Sequence, residues 1–320
     1  MSRLKNIMDF GHISVLPRQT VGLLTGERQG RCRVIDCTLG CGGHSALILK
    51  KLPEALLLGI DRDADALTRA EKALAFADGR VRLAQSDFAS VKTVAQAAGW
   101  DDGVDMILLD LGVSSPQIDD PQRGFSFRYE GPLDMRMDKR SELTASRVLN
   151  TYSERELDRI FREYGELRES RRLARAIVEE RAKAPFERTS EFARLCDSVL
   201  KRYLRKNAPP APTLCFQALR IEVNDELGQL ERALEDAVGL LNPKGRIAVI
   251  SFHSLEDRIV KHFFQSMAET CKCPPGCPVC ICGWKRKLEI LTRKPVTAEE
   301  DELRSNPRSA CAKLRVAEKI

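Results

Sequence analysis

The chain is 320 residues long, room for a core domain and a smaller companion. With 31% charged residues, no apolar run near the ~18 residues that span a bilayer, and no apolar signal segment in residues 1–10, it is expected to be cytoplasmic, with no membrane partner. The net charge is only +6, but residues 139–206 hold 18 lysines and arginines against 12 acids and so supply the whole surplus. That is the footprint of a phosphate-backbone partner, with a solvated helical face as the plainer alternative.

The first half alternates strands with helices. Apolar runs at 34–36, 56–60, 81–85 and 106–109 are separated by helical stretches such as 45–51 and 64–75, the pattern of a parallel sheet covered on both faces. After the first strand comes Asp36-Cys37-Thr38-Leu39-Gly40-Cys41-Gly42-Gly43-His44-Ser45. Its glycines let the backbone approach a ligand, and the next helix offers N-terminal amides. A dinucleotide fingerprint needs a third glycine where Ser45 stands, so that reading is disfavoured. Asp36 four residues before Gly40, followed by Gly42 and Gly43, suits instead the acid-x-x-x-Gly-x-Gly loop of class I methyltransferases, which cradles S-adenosylmethionine.

The later strand ends add side chains to the same edge. Asp61 closes the second strand where a ribose diol would lie, and Phe88 follows the third, placed to cover an adenine ring or to join the core. The fourth strand delivers Asp110, followed by Gly112, Ser114, Ser115 and Gln117. Methyl transfer to an amine needs in-line approach and an acceptor for a proton that becomes acidic as nitrogen gains charge. Asp110 is the candidate for that role, with helix capping as the alternative. His44 and His253 stand at strand-to-helix edges, where support is the more common role of a lone histidine. Ser254, with Asp257 three residues on, reads as a helix cap.

Residues 116–138 are too long for a simple connector and read as a structured functional loop bearing Phe125, Phe127 and Tyr129. Helices follow: Ser153 and Glu156 form a capping-box signal, and Leu173, Ala174, Ile177 and Val178 keep the helical period, as do Phe192, Leu195, Val199 and Leu200. Beyond the proline run at 209–212, a long helix is expected over 213–240, a turn at 242–245 and a buried strand at 246–252. The expected division is a methyltransferase domain in two parts, 1–135 and 211–320, with a basic helical RNA-binding insertion at 136–210.

Eleven cysteines in a chain read as cytoplasmic imply reduced thiols. Cys271, Cys273, Cys277, Cys280 and Cys282 fall close enough to supply four ligands to zinc. The spacing lacks paired C-x2-C units and no histidine helps, so the loop is read as structural or of unknown role, with no metal assigned and zinc as the alternative.

Several longer signatures resemble one family. His12-Ile13-Ser14-Val15-Leu16, the glycine loop, 109–117, Arg123-Gly124-Phe125-Ser126-Phe127, 131–138, Phe216-Gln217-Ala218-Leu219-Arg220-Ile221, 251–258 and Asn306-Pro307-Arg308 are similar to motifs of the bacterial small-subunit ribosomal RNA cytosine-N4 methyltransferases, the MraW family. The likeness runs through nearly the whole chain. It implies an α/β fold of the class I S-adenosylmethionine-dependent methyltransferases, Rossmann-like with a mostly parallel sheet and a small inserted helical domain. It also implies methylation of the exocyclic N4 of a decoding-region cytosine in 16S ribosomal RNA, within the small ribosomal subunit; a homodimer is compatible with it.

Cofactor contacts carried over from the family fall on Gly42, Gly43, His44, Asp61, Phe88, Asp110 and Gln117, and Asp110 with Ser114 or Ser115 is expected to hold the amine. Gln19, Cys215 and Ala310 depart from the family pattern, outside the glycine loop. The rival readings are methylation of another nucleic acid or a protein amine, and an RNA-binding assembly factor with little turnover.

Overall fold

The computed structural model describes residues 14–200, 210–273, 279 and 281–320. His12, Ile13, Cys277, Cys280 and the start of the proline run lie outside them. The chain divides into two units, Met1–Gly112 with Leu227–Ile320, and Val113–Glu226.

The first unit holds a seven-stranded sheet of β1 (Arg33–Asp36), β2 (Leu56–Asp61), β3 (Val81–Gln85), β4 (Val104–Asp110), β5 (Leu241–Ser251), β6 (Leu288–Ile290) and β7 (Lys313–Lys319). Their order is β3-β2-β1-β4-β5-β7-β6. The first five strands pair in parallel, and β7 runs antiparallel to both β5 and β6.

Alternate side chains of one strand go to opposite faces, and here both faces are covered, so the inner strands β1, β2 and β4 are apolar along most of their length. On β4, Met106 and Leu108 join a core with α1 (Pro17–Thr25), α2 (Gly43–Lys51) and α3 (Ala64–Leu74). Ile107 and Leu109 join the opposite core, against α4 (Val91–Ala97), α11 (Glu226–Leu240) and α12 (Ser254–Ala268). Strand order reverses between β1 and β4, and ligands of open α/β sheets bind at the carboxyl ends beside such a switch point.

The second unit is helical apart from its first loop. It contains α5 (Ser115–Asp119), α6 (Ala145–Thr151), α7 (Glu154–Glu163), α8 (Ser170–Arg181), α9 (Thr189–Leu200) and α10 (Ala211–Asn224). Phe192 is its centre, stacked on Phe161 at 6.0 Å and on Phe216 at 5.6 Å between ring centroids. The capping box of Ser153 and Glu156 opens α7 as its spacing predicts.

The unit is wider than the expected 136–210 insertion because the loop before it and α10 after it share its core. Leu133 and Met135 are buried with Cys215, Phe216 and Leu219, and Asn224 accepts from the Met137 amide at 2.9 Å while donating to the Met135 carbonyl at 2.8 Å.

Three local expectations change. The single helix over 213–240 is two, α10 and α11, because Asp225 adopts a left-handed φ of 48°. The turn at 242–245 is an irregularity within β5, where pairing passes from Val104–Leu241 to Met106–Arg246 and Lys244 takes φ 65°. The cap of α12 lies one residue earlier than expected: His253 accepts from the Glu256 amide, and Glu256 Oε2 accepts from the Phe252 amide at 2.8 Å. Asp257 instead binds Arg315 at 2.6 Å and Lys313 at 3.2 Å, tying α12 to β7. Among the described residues, no helix is long and apolar enough to cross a membrane.

Candidate functional site

The loop after β1 is held by hydrogen bonds at several points. Asp36, buried at the strand end, accepts from Ser45 Oγ at 2.6 Å with one oxygen and from the Thr38 amide at 3.2 Å with the other. Burial raises its carboxyl to about 6, and the Ser45 hydroxyl only partly offsets this. Gly40 and Gly42 have φ of 54° and 79°, a region costly for other residues. A side chain on Gly43 would run into Ser14 Oγ, so the stretch before α1 packs directly on this loop.

Asp61 binds across the gap between the first two strands. Its Oδ2 accepts from the Gly40 amide at 2.8 Å and its Oδ1 from the Asp63 amide at 2.9 Å. Burial raises its carboxyl from the usual value, against the pull of those two amides. A carboxylate has about four acceptor positions, so two ribose hydroxyls can still be received. Phe88 follows β3 in the core, with the Arg62 guanidinium 5.6 Å over its ring, and Asp87 caps the short turn by accepting from the Ser90 amide at 3.0 Å.

Asp110 ends β4 against the same loop. Its amide donates to Thr38 Oγ1 at 2.5 Å, and its Oδ2 lies 3.4 Å from Nδ1 of His44. The other ring nitrogen of His44, Nε2, lies 2.8 Å from the Val15 carbonyl. Both ring nitrogens thus face acceptors, an arrangement that suits the imidazolium. Burial opposes that charge, but Asp110, Asp36 and the Val15 carbonyl outweigh it and raise the imidazole above its usual value.

Ser114, Ser115 and Gln117 fall in the second unit, at the start of α5. The Gln117 side chain is buried and its Oε1 accepts from the Ser114 amide at 2.9 Å, closing the first turn of that helix. In the loop that follows, Phe127 packs edge-on to Phe216 at 5.3 Å and Phe125 lies under Arg123 at 5.8 Å, whereas Tyr129 is exposed. Asp134 grips Arg136 through two bonds of 2.8 and 2.7 Å, and Asp138 holds Arg140 in the same forked way.

The parallel sheet finished by a reversed β7, with an acid-x-x-x-Gly-x-Gly turn at its switch point, is that of a class I S-adenosylmethionine-dependent methyltransferase. The model of the MraW methylase family matches residues 9–320, and the chain belongs to that family. A protein of Heliobacterium modesticaldum named ribosomal RNA small subunit methyltransferase H is 48% identical over 98% of this chain and 100% of its own length. Similar proteins of the same name come from Carboxydothermus hydrogenoformans, at 47% over 98% and 99% of the two chains, and Clostridioides difficile, at 44% over 98% and 100%.

The residues present fit S-adenosylmethionine. Asp110 Oδ1 is buried without a hydrogen-bond partner among the described residues, an acceptor that burial makes costly unless a ligand supplies a donor. Above Gly40, a β-carbon would meet nothing nearer than the Thr38 carbonyl at 3.9 Å, leaving room over the loop.

Reasoning from sequence missed three supports of this site: Ser14 over Gly43, the Val15 carbonyl on His44, and Thr38 beneath Asp110. The motif containing Ser14 and Val15 signals something before the sheet begins, but no period or spacing says that it folds onto a loop nearly thirty residues later.

Proposed function

We propose that the protein methylates the exocyclic N4 of a cytosine in the decoding region of 16S ribosomal RNA, in the cytoplasm and within the small ribosomal subunit. The observation that carries the chemistry is the buried Asp110 Oδ1 without a partner, beside His44 and the glycine loop. The relatives' shared name supports a ribosomal RNA of the small subunit as substrate.

S-adenosylmethionine, when bound, supplies an electrophilic methyl group on a sulfonium. Asp61 would receive the ribose hydroxyls, Phe88 would lie by the adenine, and Gly42 and Gly43 would let the backbone pass close to the cofactor. Gln117 and His44 complete the proposed contacts, His44 through Asp110. Asp110, with Ser114 or Ser115, would accept hydrogen bonds from the cytosine amine and align its lone pair for in-line attack. As the nitrogen–carbon bond forms and the sulfur–carbon bond breaks, the surplus proton leaves the amine toward an acceptor at this carboxylate.

The base must leave its stack to present N4. Tyr129, exposed in the second unit, is the aromatic best placed by exposure to meet a base, since Phe125 and Phe127 pack against that unit's own core. Exposed Arg168, Arg171 and Arg175 on and beside α8 would engage phosphates.

Mass spectrometry of digested 16S RNA tests the reading. A strain lacking the gene should lose N4-methylcytidine and regain it with the wild-type gene but not with Asp110→Asn. Unchanged N4-methylcytidine in the deletion strain would overturn the assignment. If Asp110→Asn still supports subunit assembly in full, the binding-factor role gains ground.

A further inference from the structure

Among the described residues of the loop between α12 and β6, few side chains are buried. Val279 and Ile281 are 70% and 82% exposed, and the loop is attached through Trp284, whose Nε1 donates to the Glu269 carbonyl at 2.9 Å and whose ring lies under Lys272 and Lys287 at 4.6 and 5.1 Å. Segments that bury so little apolar surface are ordered by other means, commonly a disulfide or a metal.

Three thiols converge here. The Sγ atoms of Cys271, Cys273 and Cys282 all lie within 4.8 Å of one another, and those of Cys271 and Cys282 are 3.8 Å apart. A disulfide needs about 2.05 Å. Zinc–sulfur bonds of about 2.3 Å in a tetrahedron put neighbouring sulfurs about 3.8 Å apart.

Backbone amides turn toward the same sulfurs. The amides of Lys272 and Trp284 approach Cys282 Sγ at 3.3 and 3.5 Å, that of Cys273 approaches Cys271 Sγ at 3.3 Å, and that of Ile281 approaches Cys273 Sγ at 3.4 Å. Such donors stabilise thiolate sulfur and orient it, as the outer shell of a metal site does.

We propose that Cys271, Cys273 and Cys282 are three ligands of a structural zinc ion that orders this loop. The unpaired spacing that argued against zinc in the sequence does not prevent convergence, because Cys271 and Cys282 meet across the loop rather than along one turn.

The test is elemental analysis of untagged full-length protein purified without chelator, then reconstituted with zinc alone. Equimolar zinc is expected, falling at least tenfold in Cys271→Ser, Cys273→Ser and Cys282→Ser and persisting in Cys311→Ser. Cobalt reconstitution of the wild-type chain should give the sulfur-to-metal charge-transfer band and intense visible bands of a tetrahedral thiolate site, a readout that needs no variant to fold. Absence of metal after reconstitution, a disulfide within the loop by mass spectrometry of unreduced protein, or zinc that persists in all three variants would overturn the proposal.

Discussion

His44 Nδ1 stands 3.4 Å from Asp110 Oδ2, while the other oxygen of the same carboxylate is buried without a partner among the described residues. One oxygen is therefore held by the protein and the other remains to accept. Asp110→Asn keeps the shape but loses the charge, and kcat should fall about 100-fold or more. His44→Gln acts through Asp110, and should lower kcat by on the order of ten- to a hundredfold, the worth of a hydrogen bond to a charged group. Calorimetry should show S-adenosylmethionine affinity falling less than kcat in both variants; an equal fall would make the pair a cofactor clamp alone.

Asp61 fixes the Gly40 and Asp63 amides in the structure, and its proposed further job is holding the ribose. Losing both in Asp61→Ala should weaken S-adenosylmethionine binding by on the order of ten- to a hundredfold. Calorimetric titration of the cofactor measures this directly. Undiminished binding would refute the ribose role.

Gly43 and Ser14 should show coupled effects. Gly43→Ala drives a methyl into Ser14 Oγ, and overpacking of this kind costs about 1–3 kcal/mol. Ser14→Ala removes the obstructing hydroxyl, so the double variant should recover most of the stability lost by Gly43→Ala alone. Urea unfolding of the four proteins gives the coupling. Simple additivity would mean that the two residues are not in contact.

Stability should fall as pH rises through the weakly acidic range. Asp36 is raised from 3.8 to about 6, so the folded state holds a proton that the unfolded state has already released between those values. Its contribution is present below about pH 4 and lost as pH passes 6, a change on the order of 2–3 kcal/mol. His44 acts in the same direction at higher pH: its raised pKa contributes stability below 6.5 that is lost as pH rises through the folded value. Urea unfolding across pH should show a shallower fall between pH 4 and 6 in Asp36→Asn than in the wild type. Equal slopes would show that Asp36 does not carry the proton.

The first four strands, the loop after β1 and the capping box of α7 could be read from the chain because each is signalled by a pattern within a few neighbouring residues, although the strands themselves pair over long separations. Apolar runs forecast strands buried on both faces, and glycines forecast a backbone bent toward a ligand. Helix ends were less legible. Aspartate tolerates the left-handed region better than most residues, but one aspartate within an otherwise helical run is too weak a signal to place the break that Asp225 makes with φ 48° between α10 and α11. The cap of α12 lies earlier than expected because β5 ends at Ser251 and His253 and Glu256 cap the helix start, while Asp257 pairs with Lys313 and Arg315 of β7.

Sequence alone determined the alternation of elements, the cofactor class suggested by the glycine loop and the acids at three strand ends, since these depend on local period and residue chemistry. Tertiary structure decided how those acids are used. It seated Ser14 and Val15 on a distant loop, gave His44 acceptors for both ring nitrogens, and left one oxygen of Asp110 unpartnered among the described residues. It also brought three cysteines from the two sides of one loop to metal-binding distance. Burial and hydrogen bonding set the charge and availability of each group, and both arise only when residues far apart in the chain are packed together.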